Sequence, residues 1–184
     1  MSLRPDARTA YPQLLMRRPN LDGLRDDFDL PPGYQLRRCE RDEDEPLADV
    51  LTLAFPDYIW DTNEVRRRLT QSADVEATFV VEHLGIPIAT ASARFLPERF
   101  PGSGYLHWVA VHPNHQGMRL GAVVTSRVLQ YFRGRDCRDS VLETDDFRLP
   151  AIKTYLNLGY LPEPAAPGHV ERWEAVMEKL KERN

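Results

Sequence analysis

The chain has 184 residues, of which 42% are hydrophobic and 28% charged, with a formal net charge of -4. This is the composition of one ordinary globular domain with some trimmings, and it excludes a disordered chain. The acidic balance argues against a dedicated nucleic-acid binder, no apolar run approaches the roughly 18 residues of a membrane helix, and Cys39 and Cys137 are too few for a disulfide scaffold and read as reduced thiols.

The first residues carry Arg4, Pro5 and Asp6 where a signal peptide would be apolar, so a cytoplasmic location is expected. Residues 1–32 read as an extended arm, because Pro5, Pro12, Pro19, Pro31 and Pro32 break any long helix. The run Gly33–Cys39 alternates and predicts a first strand. Leu47, Val50, Leu51, Ala54 and Phe55 then share one helical face behind the acids Asp42–Glu45, which suit the helix dipole. Pro56 ends that helix, and the link Phe55–Trp60 is rich in aromatic residues. Asp61 and Glu64 have the spacing of a capping box before a second short helix. Ala77–Glu82 and Ile86–Phe95 predict a hairpin turning at His83-Leu84-Gly85, and Tyr105–Val111 a further strand.

Residues 112–121 (HPNHQGMRLG) form a polar loop that opens directly into a helix marked by Leu120, Val123, Val124, Val128, Tyr131 and Phe132 and stopped by Gly134. Ser140–Thr144 predicts a strand, Pro150 to Gly159 a helix, and Tyr160-Leu161 the start of a last strand before Pro162. Trp173, Val176, Met177 and Leu180 mark a C-terminal surface helix. The whole is a mixed α/β chain. We divide it into the arm, a domain at 33–164, and a C-terminal helix at 165–184 packed on that domain.

The chemistry concentrates at the loop. A loop entering a helix leaves several main-chain N–H groups without intrahelical partners, and with the helix dipole these make an anion site. Gly117 and Gly121 let the backbone approach a bulky phosphate, and Arg119, His112 and His115 can add donors. Arg99 to Arg135 spans 37 residues without an Asp or Glu, where the chain average would place about six. On physical grounds alone the segment is a phosphate-binding loop or a structural turn; it is not a Walker loop or a dinucleotide fingerprint.

At this point the chain resembles the GNAT acetyltransferase superfamily. The residues that carry the likeness are Val109-Ala110-Val111-His112-Pro113, then Gln116-Gly117-Met118-Arg119-Leu120-Gly121, and a second block, Leu142-Glu143-Thr144 followed by Ala151 to Tyr160 with Tyr155 and Gly159 at family positions. The resemblance implies a mixed fold with a mostly antiparallel twisted sheet, a splayed strand pair and flanking helices. It also implies acetyl transfer from acetyl-CoA to a primary amine of a small molecule, with no metal. The alternatives are a peptide or protein N-acetyltransferase and a non-catalytic acyl-CoA-binding regulatory domain. By the same resemblance Val109, Ala110 and Val111 hold the pantetheine arm, and Gln116, Gly117, Met118, Arg119, Leu120, Gly121 and Ala122 cradle the diphosphate, with Arg148 near it. Tyr155 becomes the acid that protonates the departing thiolate, against its plainer reading as a core aromatic. His107, Glu143 or a water chain becomes the base; His107 reads equally as a core histidine and Glu143 as the partner of an arginine. Strand alternation sets His107 on one face with Tyr105, Val109 and Val111.

Three positions depart from the family pattern. Arg119 stands where the loop pattern has its central glycine. A positive φ there would cost about 1 kcal/mol or more, whereas an ordinary φ would let the guanidinium grip a phosphate. Arg148 replaces an asparagine, and a proline-rich link stands where a last strand is usual. Phe55, Asp57, Tyr58 and Trp60 border the acceptor site in the resembled fold, and aromatics with carboxylates suit a cationic amine. The arm and C-terminal helix are candidates for contacts in a homodimer. No nucleic-acid or membrane partner is expected.

Overall fold

The computed structural model describes residues 12–25, 28–40 and 42–182. Residues 1–11, 26 and 27 of the expected arm, and 183–184 of the expected C-terminal helix, lie outside them. In chain order the elements are β1 (Leu14–Arg18), β2 (Tyr34–Arg38), α1 (Asp44–Ala54), α2 (Thr62–Val65, extended by a wide turn at Arg66–Thr70), β3 (Val75–His83), β4 (Ile86–Arg94), β5 (Ser103–Val111), α3 (Leu120–Gly134), β6 (Asp139–Thr144), α4 (Leu149–Asn157), β7 (Leu161–Glu163) and α5 (His169–Glu182). This is the mixed α/β class expected, and its strand pairs β2/β3, β3/β4, β4/β5 and β1/β7 are antiparallel. The described residues form two compact units, 19–140 and 12–18 with 141–182.

The larger unit is a meander, β2-β3-β4-β5, with a helix layer on each face. Alternation along β3 and β4 sorts their side chains. Ala77, Phe79 and Val81 stand opposite Ala93, Ala91 and Ala89, and this face receives α3, where the Phe79 and Tyr131 rings lie 5.7 Å apart. Val80 points the other way, into the core made by Leu47, Val50 and Leu51 of α1 with Val65, Leu69 and Ala110. A column of alanines lets a helix lie close to the sheet. At Gly104 the approach is closer still, since a Cβ there would fall 2.3 Å from the Phe132 ring. The hairpin turns at Leu84 and Gly85, both at positive φ (52° and 84°), the geometry that matches strand twist in a two-residue loop.

Asp44 does more than face the helix dipole. It is 5% exposed and accepts from Arg66 Nε at 2.6 Å and Thr70 Oγ1 at 2.7 Å, tying the start of α1 to the turn after α2. Asp61 caps α2 as expected, accepting from the Glu64 N–H at 2.8 Å. The Glu64 side chain does not return the bond; it pairs with Arg67 and Arg68.

In the smaller unit the strand order is β6, β1, β7. The arm thus contributes β1, a strand that sequence reading described only as extended. Its Leu14, Leu15 and Met16 are buried, and β7 pairs with it through Met16 and Pro162. The short last strand expected at Tyr160-Leu161 forms and runs through Pro162, which an edge position tolerates. Gly159 takes φ 84° and turns the chain out of α4. On α5, Trp173, Val176 and Leu180 are buried.

Candidate active site

Strand β5 carries an irregularity. Thr90 stands opposite Ala110 and Ser92 opposite His107, so Ala91 alone faces both Trp108 and Val109. This is a β-bulge, and Trp108 sits in it at φ 45°. The bulge breaks the alternation expected for the strand. Beyond it, Ala110 packs into the α1 core with Trp108 against it, while Val111 Cγ2 lies 3.5 Å from where a Gly121 Cβ would stand, on the α3 side. His107 therefore does not share a face with Val111. Its ring lies 5.4 Å from that of Trp108 and 5.7 Å from that of Tyr105. Ala110 is 2% exposed, so its side chain belongs to the core and only its main chain can serve a ligand.

Past β5, His112 accepts from the Asn114 N–H at 3.2 Å, and Pro113–His115 form one tight turn. Gln116, Gly117, Met118 and Arg119 are exposed, and Leu120 is buried at the start of α3. Gly117 takes φ 82° with nothing within 4 Å of a Cβ placed there, so its outer side is open to an approaching group. Arg119 adopts the left-handed conformation, φ 59° and ψ 16°. The position keeps its glycine geometry although it carries an arginine. The N–H groups of Ala122 and Val123 donate to the Arg119 carbonyl at 2.9 and 3.1 Å. Ala122 is thereby committed within the loop. The N–H groups of Gly117, Met118, Arg119, Leu120 and Gly121 find no acceptor among the described residues, so consecutive main-chain donors stand unused at the start of α3.

The loop is pinned from outside its own sequence. Tyr34 on β2 bonds His115 Nδ1 through its hydroxyl at 2.8 Å, and His83 stacks on Tyr34 at 4.4 Å. Burial, then the neighbouring imidazoles of His112 and His83, lower the pKa of His115. Sequence reading missed Tyr34 and His83, which become neighbours of the loop only through the β2/β3 pairing.

The aromatic link closes on Trp108. Its ring meets Phe55 at 4.9 Å, Tyr58 at 5.2 Å and Trp60 at 4.7 Å, all nearly edge-on. The Arg68 guanidinium lies over three of these rings, 5.9 Å from Tyr58, 5.5 Å from Trp60 and 5.7 Å from Trp108. Of the expected acceptor residues, Phe55, Tyr58 and Trp60 are brought together here, and Asp57 lies exposed in the link. Trp108 and Arg68 were not singled out from sequence; the run Arg66-Arg67-Arg68 beside an aromatic link was the available signal. Burial, then the positive charge of Arg94, pushes the His107 imidazole down to about 3, with Asp74 opposing and Arg68 adding to the effect.

In the smaller unit, Tyr155 is 8% exposed on α4, near Tyr160 at 6.0 Å, and burial raises its phenol above the ordinary value. Glu143 is half-buried on β6. Arg148 precedes α4, donates to Asp145 Oδ2 at 3.1 Å and lies over the Phe147 ring at 5.2 Å.

A bulged strand, a left-handed loop and a helix start with unused main-chain donors follow one another over Trp108–Gly121. The profile of the Acetyltransferase (GNAT) family matches residues 36–160, and the chain belongs to that family. It is 29% identical over 153 residues to mycothiol acetyltransferase of Thermomonospora curvata, a match that takes in 80% of this chain and 50% of that protein. The chain spans about half the length, or less, of the curated relatives it matches. Among solved structures, a GCN5-related N-acetyltransferase from Sphaerobacter thermophilus superposes with a TM-score of 0.64 at 17% identity, covering 83% of this chain and 50% of that one. AAC(6')-Iy, solved in complex with the bisubstrate analog CoA-S-monomethyl-acetylneamine, superposes with a TM-score of 0.59 at 17% identity, covering 72% of this chain and 95% of that one.

Proposed function

We propose that this protein transfers an acetyl group from acetyl-CoA to a primary amine of a small molecule. The observation that carries the reading is the loop Gln116–Gly121, where Gly117 is open, Arg119 is left-handed and consecutive N–H groups have no acceptor among the described residues at the start of α3. A diphosphate suits that cradle: the donors are main-chain, no carboxylate lies between Arg99 and Arg135, and the helix dipole adds favourable potential. In this reading Val109, Ala110 and Val111 hold the pantetheine arm through their main chain, and Arg148 adds positive charge from its place before α4.

The thioester supplies an activated acyl carbon, and the chain's own residues supply the rest. The acceptor must present a neutral amine. His107 stays uncharged throughout the physiological range, so its lone pair is available at every working pH. Its low basicity suits a group that accepts a hydrogen bond from the amine, and Glu143 or a water chain is the alternative base. Tyr155 holds its proton firmly because burial disfavours the phenolate, and it donates that proton to the sulfur as the carbon–sulfur bond breaks. The amine nitrogen gains the acyl carbon and loses one proton, and the sulfur gains one.

Thiol release from acetyl-CoA across an amine panel tests the reading. Turnover with at least one small amine is expected, and Tyr155→Phe should lower kcat about 100-fold or more with the donor Kd from calorimetry unchanged. Absence of donor binding at millimolar acetyl-CoA by the folded protein overturns the reading.

A further inference from the structure

The aromatic box already contains a cation. Arg68 lies over Tyr58, Trp60 and Trp108 at 5.5 to 5.9 Å, so the place where a substrate ammonium would find its ring faces is taken by a guanidinium of the chain itself. That guanidinium is only partly satisfied. Its Nε donates to Glu64 Oε2 at 2.6 Å, and among the described residues neither Nη has a hydrogen-bond acceptor. Glu64 does not neutralise it either, because the same carboxylate receives two bonds from Arg67, at 3.0 and 2.6 Å. One carboxylate serves two arginines, and a positive charge is left over beside an apolar surface.

A second observation points the same way. The indole Nε1 atoms of Trp60 and Trp108 are buried without a hydrogen-bond partner, and Trp60 as a whole is 7% exposed. Buried N–H donors of this kind are uncommon, because each forfeits a bond that water would have made. The indoles belong to the same ring cluster as the guanidinium, and it is the guanidinium, its side chain 31% exposed, that can reach a group rich in acceptor oxygens. Planar Arg geometry fits a carboxylate with two parallel bonds. His107, whose ring touches the Trp108 ring at 5.4 Å, places the reacting amine next to the same box.

We propose that the acceptor is an amine that also carries a carboxylate, an amino acid in the simplest case, and that Arg68 is the residue that selects it. The inference rests on the acetyl-transfer reading above and narrows it: the rings of Tyr58, Trp60 and Trp108, with Phe55 packed against them, hold Arg68 in place, and the cation they flank recognises an anion.

Matched acceptors test this. Leucine, leucinamide and 3-methylbutylamine share the isobutyl group beside the amine carbon and differ in carrying a carboxylate, an amide or neither. The wild-type protein should use leucine with a kcat/KM about tenfold or more above leucinamide, although the amide amine is the less basic and so the more available nucleophile. Arg68→Met should lower that ratio about tenfold through KM for leucine, and Arg68→Lys should restore part of it. Acetyl-CoA calorimetry on each variant shows that it is folded. Tryptophan fluorescence gives a reading that needs no turnover: leucine should perturb Trp60 and Trp108 in the wild type and not in Arg68→Met. Equal use of leucinamide, a ratio indifferent to Arg68, or no carboxylate-dependent fluorescence change overturns the inference while leaving acetyl transfer standing. Failure of acetyl-CoA to bind removes the acetyl-transfer reading, and the fluorescence titration still decides the carboxylate site.

Discussion

The donor loop and the aromatic box each contain a non-glycine residue at positive φ, Arg119 at 59° and Trp108 at 45°. They keep it there by opposite means. Trp108 is surrounded: the rings of Phe55, Tyr58 and Trp60 and the Arg68 guanidinium all lie within 6 Å of its ring. Packing of that kind can outweigh a local strain of about 1–3 kcal/mol. Arg119 is exposed, and among the described residues its side chain makes no bond that would compensate its conformation. What it holds is main chain, the carbonyl that receives Ala122 and Val123. In the proposed reading the loop acts through its backbone, and its side chains are largely interchangeable. In the box it is the side chains that act.

Substitutions can break this contrast. The largest effect belongs to Trp108→Ala, which removes the hub of the box and should destabilise the protein by about 3–5 kcal/mol in urea unfolding, while the donor Kd of the variant that remains folded stays within about twofold of wild type, since the cradle is main-chain. A loss of donor affinity on the scale of the stability loss would show the two regions to be one.

Next in size is a pH effect. His107 titrates near 6.5 when unfolded and near 3 when folded, so the unfolded chain takes up its proton first as pH falls. Its contribution is fully present above pH 6.5 and is lost progressively toward pH 3, about 2 kcal/mol by pH 5. Unfolding free energies of wild type and His107→Gln should differ in slope below pH 6.5, the variant being the flatter, and run parallel above it.

Smallest is Arg119→Gly, which removes the left-handed penalty and returns some chain entropy to the unfolded state. A net stabilisation of up to about 1 kcal/mol, or a Tm higher by about 2–4 °C, is expected, with donor affinity kept. A destabilised Arg119→Gly would mean that the side chain supports the loop after all.

Local rules explain what could be foreseen. The Asp61 cap, the turn at Leu84-Gly85 and the passage from Gln116 into α3 depend on residues a few places apart, and each was legible in the sequence. The bulge at Trp108–Val109 was not, because two residues facing one is a property of the β4/β5 register and leaves no mark in the alternation of β5 alone. The start of β7 at Leu161 was legible, but its partnership with β1 was not, because it joins residues far apart in the chain, as the Arg17–Glu163 pair at 146 positions' separation illustrates. Arg68 escaped notice for a similar reason: an arginine in a run of three reads as solvated surface until a bulged strand brings Trp108 beneath it.

The contact of Phe132 with Gly104 has a consequence for how the protein responds to heat. Phe132 sits where any side chain at 104 would be, so α3 has no slack above the meander. The helix whose first turn is proposed to meet the diphosphate cannot lift by a fraction of an ångström without losing this contact. Warming should therefore leave donor capture intact until the larger unit melts, and then abolish both together, so that thermal inactivation of carrier binding and loss of secondary structure trace a single curve.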